Sequence, residues 1–276
     1  MEQNDAKRAA QRVWGASPAG WTHASDQLIG TKEYFEQVVA RRSGYEIPWL
    51  YDVFPFASSR NKHVLEVGCG AGYDAFEFCR QGAVYTGIDI TLENIDRTTR
   101  HLSLYNLKGE IRAGDAEHLD FQDESFDLAF SNGVLHHVPD IEQSFREIRR
   151  VLKPGGELWL TLYHKHSFFY LISLGLWDHM ICGGFLKETL QERLSRIETT
   201  TSDAKPLVHV YSRSEVKAML ERCGFKVCLL QVRKLVWEDL PGVPFIARFW
   251  RWIPQNLLEA VGRWLGWYVV VRAEKR

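Results

Sequence analysis

Three carboxylates and a run of glycines carry the chemistry legible in this 276-residue sequence. An apolar run, His63 to Val67, leads into Glu66-Val67-Gly68-Cys69-Gly70-Ala71-Gly72, and a helical stretch, YDAFEFCRQG, follows at once. Glycines let a backbone turn sharply and approach a ligand closely, and the helix after them offers free N–H groups and a positive dipole end to an anionic group. A dinucleotide fingerprint needs its third glycine three positions after the second, and Tyr73 stands there instead, which disfavours a nicotinamide-dependent oxidoreductase. The spacing E-x-G-x-G-x-G suits a cofactor with a methionyl tail and no pyrophosphate. Asp89 closes the next apolar run in GIDIT, near the separation of about 20 residues at which a carboxylate grips ribose hydroxyls. Asp115, in AGDAEHL, stands where a carboxylate can accept a hydrogen bond from an adenine amino group, although either aspartate taken alone also reads as a helix cap or turn residue.

Histidines supply the candidates for proton transfer near neutral pH. His136 and His137 lie in SNGVLHHVPD, and His209 lies in VHVYS beside Tyr211. His137 and His209 are the two residues expected to act as a base if the reaction needs one. His164 and His166 open the following segment and are expected in solvent. No cluster has metal-ligand spacing, so no metal is expected.

These residues must be positioned by alternating strands and helices. Short β-branched runs alternate with amphipathic segments between about 63 and 163, the pattern of βαβ units and a parallel sheet. The predicted strands are His63 to Val67, Val84 to Asp89, Glu110 to Ala113, Phe126 to Ser131, Glu157 to Leu162, Phe225 to Arg233 and Trp267 to Ala273. A helix should start at Asp140, with Gln143 completing a capping box and Ile141, Phe145, Ile148 and Leu152 on one face, and should stop at Pro154-Gly155. Ser212 and Glu215 predict a second capping box, on a helix ending at Gly224.

The segments VLEVGCGAG, GIDIT, GDAEHLDFQDESFDLAFSNGVLHHVPD and REIRRVLKPGG resemble the class I S-adenosylmethionine-dependent methyltransferases, specifically the small-molecule group known as methyltransferase type 11. The resemblance covers residues 64 to 163. It implies an α/β Rossmann-like sheet of seven strands in the order 3-2-1-4-5-7-6, with the last strand antiparallel. It further implies that Glu66, Gly68, Cys69, Gly70 and Gly72 line the methionyl part of S-adenosyl-L-methionine, Asp89 the ribose, Ile90 and Ala116 the adenine faces, and Asp115 the adenine amino group. Asn132 and Gly133 would border the methionyl tail. GTKEYF at 30 to 35 resembles an N-terminal helix closing over the cofactor, with Tyr34 as the contact. The expected activity is methyl transfer to the oxygen or carbon of a small molecule by in-line displacement, for which orientation and exclusion of water do much of the work. The other reading is a regulatory protein that binds the cofactor without turnover.

Residues 1–163 then form the N-terminal helices and the cofactor-binding core, 164–211 a lid insertion, and 212–276 the rest of the sheet with a tryptophan-rich insertion at 237–266. The lid begins SFFYLISLGLWDHMICGGFL, whose Asp178 and His179 argue against a membrane span. Its aromatic and aliphatic side chains predict an apolar or aromatic acceptor. Trp250, Trp252 and Trp264 with Arg248, Arg251 and Arg263 can make a peripheral membrane contact, but also ordinary lid cores and dimer contacts, and the structural reading is favoured. A monomer or a homodimer fits equally. The net charge of -1 lacks the basic field that nucleic-acid binders use. Five cysteines without framework spacing read as reduced thiols, and the polar start of the chain lacks a secretory pattern, so a cytoplasmic protein is expected.

Overall fold

The computed structural model describes residues 3–24, 26–198, 204–242 and 247–276. Seven strands, β1 (His63–Val67), β2 (Val84–Asp89), β3 (Glu110–Ala113), β4 (Phe126–Asn132), β5 (Leu152–Tyr163), β6 (Phe225–Arg233) and β7 (Tyr268–Lys275), form one sheet in the order 3-2-1-4-5-7-6. The first five pair in parallel, and β7 runs antiparallel between β5 and β6. This is the expected Rossmann-like topology.

The helices are α1 (Gln3–Ala16), α2 (Lys32–Arg41), α3 (Leu50–Val53), α4 (Tyr73–Arg80), α5 (Leu92–Leu104), α6 (Ile141–Val151), α7 (Leu190–Ile197), α8 (Arg213–Arg222), α9 (Ala247–Trp250) and α10 (Gln255–Leu265). Both faces of the sheet are covered, as parallel strands require. One core holds Phe145, Ile148 and Leu220 against Leu65, Leu160 and Val271, and the other holds Phe54, Phe56 and Phe78 against Val64, Phe130 and Val270.

Local chemistry explains most boundaries. Ser212 accepts the N–H of Glu215 while Glu215 accepts the N–H of Ser212, the reciprocal box expected there, and Gly224 takes the left-handed conformation that ends the helix. At Asp140 only half of the expected box forms. Asp140 accepts from the N–H of Gln143, but the Gln143 side chain donates to the Glu117 carbonyl, because Glu117 Oε1 already takes the Asp140 N–H. Leu152 opens β5 rather than closing the helix, so Pro154 and Gly155 lie inside the strand's irregular start. His164, expected in solvent, is buried, with Nδ1 donating to the Gly266 carbonyl.

The segment expected as a lid, 164–211, holds a helix over Phe169–Ile181, a short turn and α7. Leu174, Leu194 and Val208 pack on Tyr163 and Trp267. No helix among the described residues is long and apolar enough to cross a membrane. In the tryptophan-rich insertion the indole of Trp250 donates to the Pro241 carbonyl, whereas Trp252 and Trp264 are 81% and 72% exposed. That insertion is therefore only partly a core.

Candidate active site

Six strand-end positions and loops meet around one cavity of about 370 Å³, within the usual range for a small-molecule site. Glu66, Gly68, Cys69, Gly70, Asp89, Ile90, Asp115, Ala116, Asn132, Gly133 and His137 all line it. The order of the sheet explains this convergence. The C-terminal ends of β1, β2 and β4 lie side by side where the chain leaves for its helices, so residues far apart in sequence share one rim.

The glycine loop is shaped by its own backbone. Gly68, Gly70 and Gly72 have φ of 83°, 55° and 80°, a region that L side chains rarely adopt. A Cβ on Gly68 would stand 2.4 Å from Val134, whereas one on Gly70 or Gly133 would meet no atom within 4 Å. The cradle at Gly70 and Gly133 is thus open to an occupant, while Gly68 is held tight from behind. Asp89 fixes the loop in this shape, Oδ2 accepting the Gly70 N–H and Oδ1 the Thr91 N–H, both at 2.9 Å. Burial pushes the Asp89 carboxyl up, and the two backbone donors oppose that. Glu66 is buried deeper. Desolvation, reinforced by Asp74, pushes its carboxyl well up, and the Tyr85 hydroxyl donates to it.

Opposite the loop, Arg42 donates to both oxygens of Asp74 at 3.3 and 3.2 Å, and Asn132 Nδ2 adds a third bond to Asp74 at 3.0 Å. Thr161 locks that end of β4 by donating to Asn132 Oδ1 and accepting the Gly133 N–H. Burial acts to lower the Arg42 guanidinium, but the charge of Asp74 more than reverses it, so Arg42 stays charged. Besides Glu66, whose burial favours the neutral form, five carboxyl side chains, those of Glu46, Asp74, Asp89, Asp115 and Glu198, face two cations, Lys7 and Arg42. Such a field favours an occupant that carries positive charge.

Helix α1 closes the side of the cavity at which Asp115 stands. Lys7 donates to Asp115 Oδ2 at 2.6 Å and also meets Glu117, Gln11 donates to the Ile90 carbonyl, and Arg97 donates to the carbonyls of Trp14 and Gly15. The helix that covers the pocket is therefore α1.

Tyr34, expected in that role, does not reach the cavity. It is fully buried in α2, its ring against Phe35 and its hydroxyl accepting from Tyr73, so it supports the glycine loop from behind. Gly72 also faces away, close to Thr98 of α5. His209 lies outside the cavity too, its backbone N–H donating to the His136 carbonyl.

His137 stands at the far end, in a 3-10 turn after β4. Its Nδ1 lies 2.8 Å from the Leu207 carbonyl. A carbonyl only accepts, so Nδ1 carries the proton and Nε2 keeps a free lone pair. Burial lowers the affinity of the ring for a second proton, with nearby Glu198 opposing. Around it stand Trp14 at 5.4 Å between ring centroids, Tyr163 at 6.1 Å, and Tyr268. The Tyr163 hydroxyl donates to Glu198 at 2.7 Å. His136 is stacked on Tyr163 at 3.7 Å and fully buried, which excludes it from the cavity.

Sequence reasoning missed Lys7, Trp14, Arg42, Asp74, Tyr163, Glu198 and Tyr268. Asp74 was findable, since an acid in the first turn after the glycine loop must face the same space. Arg42 and Glu198 lie outside the motif and carried no local mark.

A doubly wound sheet with an antiparallel seventh strand, a glycine loop and acids closing the second and third strands defines a Rossmann-like methyltransferase fold. The comparisons with known proteins agree. Residues 65–160 match the profile described as "Methyltransferase domain". The Ubiquinone biosynthesis O-methyltransferase of Coxiella burnetii is 30% identical over 115 residues, which is 42% of this chain and 49% of that protein. The Sterol 24-C-methyltransferase erg-4 of Neurospora crassa is 26% identical over 243 residues, 87% of this chain and 56% of that protein. The crystal structure of an S-adenosylmethionine dependent methyltransferase from Mesorhizobium loti superposes with a TM-score of 0.57 at 20% identity, covering 83% of this chain and 96% of that one. The chain spans about half the length of the curated relatives it matches. Residues 65–160 are thus similar to a methyltransferase domain, and the sheet around them has the fold of solved S-adenosylmethionine-dependent methyltransferases.

Proposed function

We propose that this protein moves the methyl group of S-adenosyl-L-methionine to a hydroxyl on a small lipophilic molecule. The observation that carries this reading is that one cavity joins the glycine cradle to an aromatic compartment with a single-tautomer histidine, His137, in its wall. When bound, the donor supplies a methyl already activated by a sulfonium, so the protein needs to orient, dry and deprotonate. Asp89 and Asp115 hold the nucleoside end, Arg42 offers a guanidinium to the carboxylate of the methionyl tail, and Gly68 to Gly70 let the backbone come close. Trp14, Tyr163 and Tyr268 shape the acceptor compartment, and His137 Nε2 would hold and take the proton of the acceptor hydroxyl. The relatives named for ubiquinone biosynthesis and for sterol methylation support an acceptor with much apolar surface.

The test is acceptor-dependent formation of S-adenosylhomocysteine by the purified full chain. Phenols and sterols with long apolar groups should give turnover, and short polar alcohols should give at least tenfold less. Tight cofactor binding with no turnover on any apolar acceptor would favour a regulatory binding protein instead.

A further inference from the structure

The two insertions leave the sheet at neighbouring points. Tyr163 at the end of β5 and Arg233 at the end of β6 both pair with Tyr268 at the start of β7. The lid and the tryptophan-rich segment therefore rise from the same end of the sheet, the end at which Tyr163 and Tyr268 line the cavity. They are tied together there, with the Ser173 hydroxyl donating to the Asp239 carbonyl.

Their inner faces are satisfied. Leu258 and Gly262 of α10 are buried, and a Cβ on Gly262 would come within 3.2 Å of the Leu235 backbone nitrogen, so that face of the helix is seated directly on the chain leaving β6. Their outer faces are not. Trp252, Leu257 and Trp264 are 81%, 53% and 72% exposed, and Met180, Ile181 and Leu186 of the lid are 58%, 60% and 77% exposed. Single exposed apolar groups are ordinary, but this many on two adjoining elements mark a contact surface.

Charge says what it contacts. Among the described residues of the two insertions, every acid except Glu259 is engaged: Asp178 and Glu188 by Arg193, Glu192 by Lys205, Glu198 by Tyr163, Glu238 by Arg41 and Asp239 by Lys234. Lys187, Arg251 and Arg263, with Arg233 at the foot of α10, have no acidic partner among the described residues. Arg233 and Arg263 repel one another. A symmetric second copy of the chain would bring these same cations face to face with only Glu259 to offset them. Anionic headgroups satisfy them instead, while indoles and aliphatic tips enter the acyl boundary.

We propose that the outward faces of the lid and of α10 with the turn before it form a docking surface for an anionic lipid bilayer. Docking there brings the end of the sheet at which Tyr163 and Tyr268 line the cavity to the membrane. The surface does not depend on the acceptor's identity, so it can stand or fall separately from the proposed activity.

The experiment is co-sedimentation of the full chain with vesicles of mixed phosphatidylglycerol and phosphatidylcholine, and with pure phosphatidylcholine. Binding is expected to the mixed vesicles and to weaken steeply with salt. Trp252→Ala with Trp264→Ala should cut the partition coefficient at least tenfold. Arg251→Glu with Arg263→Glu should cut it by about fivefold or more per arginine. S-adenosylhomocysteine binding should be unchanged in both variants, which reports an intact fold. The proposal is overturned if the wild-type chain ignores mixed vesicles, or if both variants bind as it does. It is equally overturned if the tryptophans hold together a dimer that the double alanine variant disperses, without vesicle binding.

Discussion

The ammonium of Lys7 lies 2.6 Å from Oδ2 of Asp115, which ties the first helix of the chain to the carboxylate that closes β3. The same ammonium meets Glu117, and burial, which acts to lower it, is outweighed by these two hydrogen bonds, so Lys7 stays charged. Helix α1 is thus latched across the Asp115 side of the cavity, the side that holds the nucleoside under the proposed function. Lys7→Ala should speed the dissociation of S-adenosylhomocysteine by roughly three- to tenfold, the worth of one or two partly buried ion pairs. Stopped-flow displacement measures this. An unchanged rate would show that α1 does not gate the site.

Asp89 is asked to do two things. Its oxygens already hold the N–H groups of Gly70 and Thr91 in this structure, and under the proposed function it also takes the ribose. Asp89→Asn turns one acceptor into a donor that faces a backbone donor, an unsatisfied buried pair worth about 1 to 3 kcal/mol. Affinity for S-adenosylhomocysteine should fall more than tenfold by calorimetry, with a lower Tm. Affinity within twofold of wild type would mean that the loop keeps its shape without the carboxylate.

The parts legible in the sequence and the parts that were not differ in the range of the interactions that make them. The glycine loop, Asp89 and Asp115 were readable because each is adjacent in sequence to the strand that positions it, and the strand's period is printed in its own residues. Arg42, Glu198 and Tyr268 reach the cavity only through the packing of α2's end, α7 and β7 on the finished sheet, and no neighbouring residue announces that. Tyr34 shows the opposite case. Its helix is where the resemblance put it, but the ring points to Phe35 and Tyr73, because the hydrophobic face of α2 packs behind the loop and α1 takes the covering position. The half-formed box at Asp140 has the same origin, since a distant carboxylate, Glu117, reached the cap first.

His137 has one free ring nitrogen and a basicity lowered by burial. A base must be neutral to accept a proton, so a lowered pKa extends its working range downward. The acid limb of kcat/KM should therefore fall below the ordinary histidine range near 6.5. His137→Gln should lower kcat by about 100-fold or more and remove that limb, leaving S-adenosylhomocysteine affinity within a fewfold. A variant with the wild-type limb would pass the role to another group on the cavity wall, such as Glu198.

His101 gives a pH dependence of stability rather than of rate. Its ring lies flat between Phe35 at 3.9 Å and Phe76 at 5.3 Å, and Nδ1 donates to the Ala71 carbonyl of the glycine loop. Burial in this sandwich lowers its pKa to about 4, against 6.5 for an unperturbed ring, and the backbone bond opposes the fall only in part. Above 6.5 both the folded and the unfolded ring are neutral, so the contribution is whole. Between 6.5 and about 4 the unfolded chain binds a proton that the folded chain refuses, so stability is lost as pH falls. From pH 8 to pH 5 this one group should remove about 2 kcal/mol. The other buried histidines titrate in the same direction, so the measurement must be a difference. His101→Phe keeps the stack, loses the bond to Ala71 and cannot take a proton. It should be less stable than wild type at pH 8, and the gap should close or reverse by pH 5 in denaturant unfolding. Parallel stability curves for the two proteins would mean that the ring is protonated inside the fold, and that the loop is held by a cation.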